Sequence, residues 1–427
     1  MHKKTKSMLL IIVFLISGLL CSCSLANLNT KNQISQPISS ELTIWAYYKD
    51  SEEKINKAFS DQEPNVTIDV VPIPWADYEN KFQVALAGGA DLPDILMTES
   101  YWWGKWLNLK GAFDELSQYG INEKDIFSAA SSTIRNKQGE FIVVPVATGV
   151  GCIWYRKDLA MKYLNTSDSD EMEKVLKTWD DFMELGSRIK AMSNNSEYLF
   201  PDTMSVEEFL IASDKNYMDG NTIHLRDRLL PRFKLIEDMI KKGYIAKVQG
   251  IEINQSYLKG NVMFYPYADW HGEFIKGIDE NGKGKWGVMK PPGTIFYRGG
   301  YGYVIPKKSK KENKLMAAKR VNFVLTKEGS EAVINTNQMS AYKNAYTDEV
   351  LKLKDDYFEE NLIMKFYTWF DSSNKKLKYS EYDDVIEKEL RRQAYNIMNT
   401  NINAQQALDN AQKELEQSFD KNIIFAK

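Results

Sequence analysis

The N-terminal quarter of the chain alternates between strand-like and helix-like segments, and this order restricts the fold more than any other feature. Segments Leu42–Ala46 and Val66–Val70 alternate in polarity as strands do, and Leu92–Met97 is a short apolar run. Between them lie two helical patterns, the second of which ends at Gly88-Gly89. The order strand, helix, strand, helix, strand predicts a parallel sheet with crossover helices, and therefore an α/β fold.

The rest of the chain adds further strands and a helical tail. The segment 139–158 predicts two strands with a break at its Thr-Gly-Val-Gly sequence, and the segment 313–329 predicts one helix. Capping signatures predict helix starts at Thr178 and Ser205. From Ser380 onward apolar residues recur at steps of three and four, which is typical of helices packed on a core.

The first 22 residues have the pattern of an export signal. Three lysines precede an apolar run, Met8–Leu20, that is too short to cross a bilayer. The following Leu20-Cys21-Ser22-Cys23 resembles the lipobox of bacterial lipoproteins, which predicts cleavage after residue 22 and a lipid on Cys23. Cys21 does not fit, because the bulky Leu20 precedes it. The alternative is an ordinary signal peptide with incidental cysteines. Residues 23–40 lack apolar periodicity and predict a flexible tether.

Composition excludes some classes of protein. Loss of residues 1–22 would leave 52 basic and 58 acidic side chains, a net charge of about −6, which argues against a nucleic-acid binder. Beyond the predicted lipid site only Cys152 remains as a thiol, so no intrachain disulfide is expected. A mature length of about 400 residues favours two lobes, each with its own core.

Several short segments, taken in order, resemble one family: the extracellular solute-binding proteins of ABC transporters, in the sugar-binding branch that includes maltose-binding protein. The segments are Leu42–Trp45, Pro93–Ile95, Gly139–Pro145, Cys152–Asp158, Thr178–Phe182, Gly260–Met263, Asp269–Trp270, Trp286–Met289 and Gly300–Ile305. Each segment is weakly specific alone, and their order behind a lipobox carries the resemblance, which extends over nearly the whole mature chain.

The resemblance implies a two-lobed periplasmic-binding-protein-like fold of type II, with a ligand cleft between the lobes. The N-terminal lobe would comprise residues 41–147 plus 300–345, and the C-terminal lobe residues 148–299 plus 346–427. Two chain crossings would act as the hinge, because glycine-rich backbone can absorb a change in φ and ψ. The hinge residues implied are Thr148, Gly149, Gly151, Gly299 and Gly300.

Aromatic and polar side chains follow the predicted strands, at the edge where α/β sheets bind ligands. Flat aromatic rings suit the apolar face of a sugar, and planar polar groups suit its hydroxyl rim. The candidate ligand-binding residues are Tyr47, Tyr48, Trp75, Thr98, Glu99, Tyr101, Trp102, Asp269, Trp270, His271, Arg298, Gly299 and Tyr301. Trp270 stands where the family keeps a stacking tryptophan, whereas His271 departs from the small residues usual beside it.

Some of these residues also have a structural interpretation. Tyr47 and Tyr48 point to opposite faces of an extended segment, which predicts that only one of them faces a ligand. Glu99 and Asp269 could instead be solvated surface charges, and Arg298 a structural residue. At least one tryptophan of the series at 102, 103 and 106 should lie in the core, because the three follow one another at near-helical spacing.

The leading hypothesis is a monomeric, non-catalytic receptor that captures a carbohydrate and delivers it to a permease. It would be lipid-anchored at the outer face of the cell membrane and would need no cofactor or metal. The second hypothesis is a glycan hydrolase with Glu99 and Asp269 as its carboxylate pair, although no nucleophile motif supports it. The third is a binder of a cationic solute or metal, although His224 and His271 lie far apart without metal-ligand spacing.

Overall fold

The computed structural model describes residues 40–88, 92–207, 209–210, 217–293, 297–372 and 379–426. The predicted signal peptide, Cys23 and the tether up to residue 39 lie outside the described residues. The described chain from Ser40 onward forms one compact unit. The strands are β1 (Ser40–Ala46), β2 (Val66–Pro72), β3 (Ile95–Glu99), β4 (Val144–Arg156), β5 (Met218–Asp219), β6 (Thr222–Ile223), β7 (Phe264–Ala268), β8 (Trp286–Met289), β9 (Tyr297–Val304), β10 (Met339–Ser340) and β11 (Ile424–Phe425).

Helices alternate with these strands, and two long helices precede β11 near the end of the described chain. The helices are α1 (Lys49–Gln62), α2 (Trp75–Gly88), α3 (Ser100–Trp106), α4 (Ser128–Ser131), α5 (Lys157–Leu164), α6 (Ser169–Val175), α7 (Trp179–Met192), α8 (Thr203–Glu207), α9 (Arg226–Lys241), α10 (Ile251–Lys259), α11 (His271–Ile278), α12 (Lys314–Phe323), α13 (Lys327–Ile334), α14 (Leu362–Asp371), α15 (Asp383–Asn399) and α16 (Ala404–Ser418).

The first three strands form the predicted parallel arrangement. Strand β1 pairs in parallel with β2 on one side and with β3 on the other, and the intervening helices α1 and α2 make the crossovers. The sheet continues from β3 to β9 to β4 to β10 through antiparallel pairs. The α/β prediction for this part of the chain is therefore confirmed.

Strand β4 is a single strand of 13 buried residues, so the prediction of two separate strands in the segment 139–158 is wrong. Its first half pairs with β9 and β10, and its second half pairs with β7 and β8. The Thr-Gly-Val-Gly sequence produces only a shift in register between Thr148 and Val150. A bulge suffices there because the backbone finds pairing partners on both sides of it.

Helix boundaries depart from prediction at two capping sites. Helix α8 begins at Thr203 rather than at Ser205, because the carboxylate of Asp202 accepts the backbone N–H of Ser205 at 3.0 Å and caps the helix two residues earlier. The segment 313–329 is not one helix. The Thr326 hydroxyl accepts the N–H of Gly329 at 3.2 Å and starts α13 separately from α12. The capping box predicted at Thr178 is confirmed.

Buried apolar side chains form two clusters. One surrounds β1, β3 and β9 together with α2 and α3, and the other lies among α5, α7, α9, α15 and α16. The predicted inner face of the tail helix, which includes Ile386 and Leu390, is fully buried in the second cluster. The first cluster also contains Trp154 and Trp286, which the sequence assigned to the C-terminal lobe, so the lobe boundaries stay a prediction.

Candidate functional site

A cavity of about 620 Å³ opens where β1 and β3 end, and we call it the aromatic cavity. Segments that lie far apart in the chain form its wall. They are the turns after β1 and β3, the starts of α2 and α11, the middles of β4 and β9, and one face of α15. Its position beyond the carboxyl ends of parallel strands is the one that ligands occupy in α/β sheets.

Most of the candidate residues chosen from sequence line this cavity. The candidate ligand residues in its wall are Tyr47, Tyr48, Trp75, Glu99, Tyr101, Trp102, Trp270, Arg298, Gly299 and Tyr301. Of the predicted hinge residues, Thr148 and Gly300 also reach the wall, whereas Gly149 and Gly151 do not. Thr98, Asp269 and His271 lie outside the wall.

The first wall of the cavity is a stack of aromatic rings. The indole of Trp102 stacks on that of Trp75 with a centroid distance of 5.9 Å, and on the ring of Tyr78 at 5.7 Å. Trp102 is only 3% exposed, whereas Trp75 is 52% exposed. Trp103 and Trp106 are fully buried, which confirms that part of this tryptophan series belongs to the core. Trp75 is therefore a solvent-facing plate supported from behind by core rings.

Both Tyr47 and Tyr48 line the cavity, so alternation along the strand does not separate them, and which of the two contacts a ligand stays a prediction. Strand β1 ends at Ala46, and Tyr48 already caps α1 with φ −112° and ψ 72°. The alternation of faces along a strand therefore no longer applies to these two residues. Their rings meet edge to face at 4.7 Å, which is a favourable aromatic geometry.

Glu99 is a buried cavity residue rather than a solvated surface charge. Its carboxylate accepts a hydrogen bond from the Tyr47 hydroxyl at 3.0 Å and another from the backbone N–H of Ser100 at 3.2 Å. It thereby caps the N-terminus of α3, where a negative charge is favourable. These contacts fix the carboxylate in orientation at the cavity wall.

The opposite wall contains Trp270 and Arg298. The Trp270 indole N–H donates to the carbonyl oxygen of Arg298 at 3.3 Å. The Arg298 guanidinium lies over the rings of Tyr267 and Trp270, 5.0 Å and 5.6 Å from their centroids. Arg298 is buried and also lines the cavity, so the same side chain can support the local structure and contact a ligand.

Of the three consecutive candidates 269, 270 and 271, only Trp270 reaches the aromatic cavity. The buried Asp269 carboxylate accepts the Val150 N–H at 2.7 Å, and burial raises its pKa to about 7. His271 is buried too. Its Nε2 lies 2.6 Å from the Tyr257 hydroxyl, and burial lowers its pKa to about 3, so the ring is neutral. The chain turns from β7 into α11 here, which separates the three side chains.

The contribution of the tail helix to the cavity was not predicted from the sequence. Four charged residues of α15 line the cavity: Asp384, Glu387, Lys388 and Arg391. Their spacing of three, four and seven residues places them on one face of the helix, and this spacing is the sequence feature that could have indicated a shared charged surface. Outside α15, the residues missed in the wall are Ala76, Glu79, Ala147, Tyr267, Phe274 and Gln338.

Ion pairs join α15 to the aromatic side of the cavity. The Glu79 carboxylate lies 2.9 Å from Lys105 Nζ and 3.5 Å from Lys388 Nζ. Lys388 Nζ is also 2.8 Å from the carboxylate of Asp384. Burial raises the pKa of Glu79, but the hydrogen bond from Lys105 and the charge of Lys388 outweigh it and bring that pKa below its usual value. The rim charges of the cavity are therefore mutually compensated.

The two predicted hinge segments lie in close contact. A Cβ on Gly149 would come within 1.8 Å of the Arg298 carbonyl oxygen, so only glycine fits between β4 and β9 at this position. Gly299 and Gly300 have φ of 77° and 90°, a conformation that favours glycine. The hinge role of these residues stays a prediction.

In the described part of the chain, no group of His, Cys, Asp and Glu side chains is arranged to hold a metal ion. Among the helices that the structure describes, none combines the length and apolarity needed to cross a membrane.

Comparison with known proteins identifies the family. The sequence model of the bacterial extracellular solute-binding proteins matches residues 45–331. The chain therefore belongs to the family of bacterial extracellular solute-binding proteins, and the resemblance stated from its sequence is confirmed.

Relatives agree with this assignment. A lactose-binding protein of Rhizobium radiobacter is 30% identical over 165 residues, a match that spans 36% of this chain and only 37% of that protein. A solved extracellular solute-binding protein of family 1 superposes with a TM-score of 0.78 at 21% identity, over 89% of this chain and 99% of the other. The lacto-N-biose-binding protein of Bifidobacterium longum gives a TM-score of 0.72 at 13% identity, over 91% and 98% of the two chains. The two-lobed periplasmic-binding-protein-like fold is thereby confirmed.

Proposed function

We propose that this protein captures a carbohydrate, specifically an oligosaccharide, in the aromatic cavity and delivers it to an ABC permease without altering it chemically. The observation that carries the proposal is the ring of aromatic plates around one cavity, where Tyr48, Trp75 and Trp270 present ring faces or edges to a common space. The C–H face of a pyranose packs on such rings at little entropic cost, because Trp and Tyr have few rotatable bonds.

Polar groups in the same wall suit the hydroxyl rim of a sugar. Glu99 and Glu387 offer paired carboxylate oxygens, and Arg298 and Arg391 offer planar sets of N–H donors. The volume of about 620 Å³ falls in the range of small-molecule sites and can hold more than one sugar ring. The relatives support the same ligand class, since their names state binding of lactose and of lacto-N-biose.

Ligand capture would proceed by closure of the two lobes. With the boundaries predicted from sequence, Tyr48 and Trp75 belong to the N-terminal lobe and Trp270 and Arg391 to the C-terminal lobe. A ligand that contacts both sets favours the closed form, because only contacts that differ between the two forms shift their populations. The hinge would be formed by Thr148, Gly149 and Gly151 on one crossing and by Gly299 and Gly300 on the other.

The two alternatives lose support from the geometry. A hydrolase with Glu99 and Asp269 needs both carboxyls beside the scissile bond. Asp269 lies outside the cavity wall and is hydrogen-bonded to Val150. A site for a cationic solute needs a clear excess of negative charge, whereas the cations Arg298, Lys388 and Arg391 offset three of the four carboxylates in this wall.

The test is calorimetric titration with lactose, maltose, lacto-N-biose and β-1,6-galactobiose, followed by chromatography of the sugar. We expect saturable one-to-one binding with the sugar recovered intact. Trp270→Ala should weaken binding about tenfold or more, since it removes a stacking surface. The matched control is Trp179→Phe at the start of α7, outside the cavity, which should leave affinity unchanged. Cleaved sugar would favour the hydrolase, and unchanged affinity in Trp270→Ala would remove this residue from the site.

We further infer that the protein acts as a monomer on the outer face of the cell membrane, held by a lipid on Cys23 and a tether of residues 23–40. Two or three acyl chains are enough for stable anchoring. Metabolic labelling with a palmitate analogue tests this proposal. The wild type should incorporate label and fractionate with membranes, whereas Cys23→Ser should remain unlabelled. Label in the Cys23→Ser protein would refute the assignment.

A further inference from the structure

The charged face of α15 has a buried partner behind the cavity wall. Arg391 lines the aromatic cavity, and 30% of its side chain is exposed. On its other side lies Glu207, the last residue of α8, whose side chain is 1% exposed. The Arg391 Nε and the Glu207 Oε2 are 3.7 Å apart. The ion pair therefore spans the wall, with the cation at the cavity and the anion in the interior.

Within the described chain, the carboxylate of Glu207 is buried without a hydrogen bond to compensate its charge. Neither of its oxygens accepts a hydrogen bond from any residue that the structure describes. A buried carboxylate without hydrogen bonds is costly unless a cation compensates it, so the interaction with Arg391 is its main stabilising contact. Glu207 does not line the cavity and has no direct access to a ligand.

Four groups set the electrostatic environment of Glu207. Arg391 and Glu387 face it from α15, Arg298 faces it from β9, and the Tyr217 ring lies near its charge. Burial raises the pKa of Glu207 to about 7, although the two arginines act in the opposite direction. The ion pair with Arg391 is therefore complete above neutral pH and weakened below it.

We propose that Arg391 is a specificity-determining ligand contact and that Glu207 is the positioning residue that holds its guanidinium in the cavity wall. This proposal rests on the binding role assigned to the aromatic cavity. Because the anion behind the wall balances its charge, the guanidinium offers N–H donors without attracting anions strongly. The pair accordingly favours an uncharged, hydroxyl-bearing ligand.

The first test needs no ligand. Phenylglyoxal modifies accessible guanidinium groups, and tandem mass spectrometry separates Arg391 from its neighbour Arg392. Arg392 is a suitable internal reference, because it is half exposed and pairs with Glu389 at 2.8 Å rather than with Glu207. In the wild type, the ratio of Arg391 to Arg392 modification should fall as the pH rises from about 6 to about 8, since Glu207 ionises over that interval.

Two variants make this test specific. Glu207→Gln should give a ratio that is high and independent of pH. Asp269→Asn removes another buried carboxyl whose pKa is also near 7, and it should keep the wild-type profile. A wild-type profile in Glu207→Gln, or a flat profile in the wild type, would overturn the proposal. If Glu207→Gln folds poorly, the wild-type profile still tests the coupling, because a ratio that falls as pH rises supports it and a flat ratio overturns it.

The second test uses the sugars named above. Glu207→Gln and Arg391→Lys should each weaken sugar binding about tenfold, and the double variant should lose little more, because both changes remove the same held donor. Additive losses would contradict the positioning role. If no sugar binds while the labelling profile is as expected, the carbohydrate proposal fails and the Glu207–Arg391 coupling stands.

Discussion

A buried ion pair between α1 and α12, behind the aromatic cavity, allows a direct test of what stabilises the N-terminal part of the sheet. Arg320 of α12 and Glu52 of α1 are both 0% exposed, and Arg320 Nη2 lies 3.1 Å from Glu52 Oε2. Arg320 Nε also donates to Asn56 at 2.7 Å, and the hydroxyl of Tyr303 in β9 donates to Glu52. The network ties α1, whose N-terminus carries Tyr48, to the sheet behind the aromatic cavity.

We predict that Arg320→Met lowers the free energy of unfolding by about 3–5 kcal/mol, the cost of leaving a buried charge without its partner. Counting the two lost hydrogen bonds to a charged group at about 1.5–3 kcal/mol each gives about 3–6 kcal/mol, which overlaps that range. Burial raises the pKa of Glu52, and Arg320 opposes that shift. A carboxyl whose pKa is raised in the folded state makes the folded protein less stable as pH rises through that pKa, because the buried group must then ionise. The free energy of unfolding of Arg320→Met should therefore be lower at pH 8 than at pH 5.

The assay is urea unfolding followed by tryptophan fluorescence. The double variant Glu52→Gln/Arg320→Met should recover most of the loss, because its buried groups are neutral. Lys319→Met is the matched control. Lys319 is adjacent, exposed and paired at the surface with Glu63, so its removal should cost less than about 1 kcal/mol. A double variant as unstable as Arg320→Met would refute the reasoning, because it would show that packing rather than charge is lost.

Three further changes test the site and the crossings. Trp75→Ala should weaken sugar binding about tenfold in calorimetry while leaving the urea midpoint nearly unchanged, because this indole is half exposed; a large stability loss would contradict its role as a surface plate. Gly149→Ala should cost about 1–3 kcal/mol in urea unfolding, since its Cβ would meet the Arg298 carbonyl oxygen; an unaltered midpoint would refute the close contact. Asp269 has a pKa raised to about 7, so its contribution to wild-type stability should fall as pH rises from about 4 to 7, by about 4 kcal/mol at most. Asp269→Asn should thus gain stability relative to wild type between pH 5 and pH 8, and a constant difference would exclude this titration.

The sequence predicted the fold best where periodicity and capping agree. The strands from Leu42 and Val66 and the capping box at Thr178 were confirmed, because local pattern alone defines these elements. The break expected within β4 was wrong. Glycine and threonine weaken a strand locally, but pairing with β7, β8 and β9 outweighs that tendency.

The composition of the cavity was predictable on its aromatic side and not on its charged side. Residues that follow strands, such as Tyr48, Trp75 and Trp270, are found by the rule that ligands lie at strand ends. Glu387 and Arg391 belong to α15, which begins at Asp383, far along the chain from the end of β9 at Val304. A polar face of a helix is ordinarily solvated, so nothing in its pattern states that this one faces a cavity.

The continuity of β4 has a mechanical consequence. Its 13 residues run without interruption from pairing with β9 to pairing with β7 and β8, so the two halves of the sheet share one backbone rather than a loose connection. Any rotation of the lobes would have to flex this strand, whose pairing with β9 is irregular at two register shifts, between Pro145 and Ala147 and between Thr148 and Val150. Because both irregularities lie within one short stretch of a continuous strand, bending there would restrict the directions in which the two halves of the sheet could move.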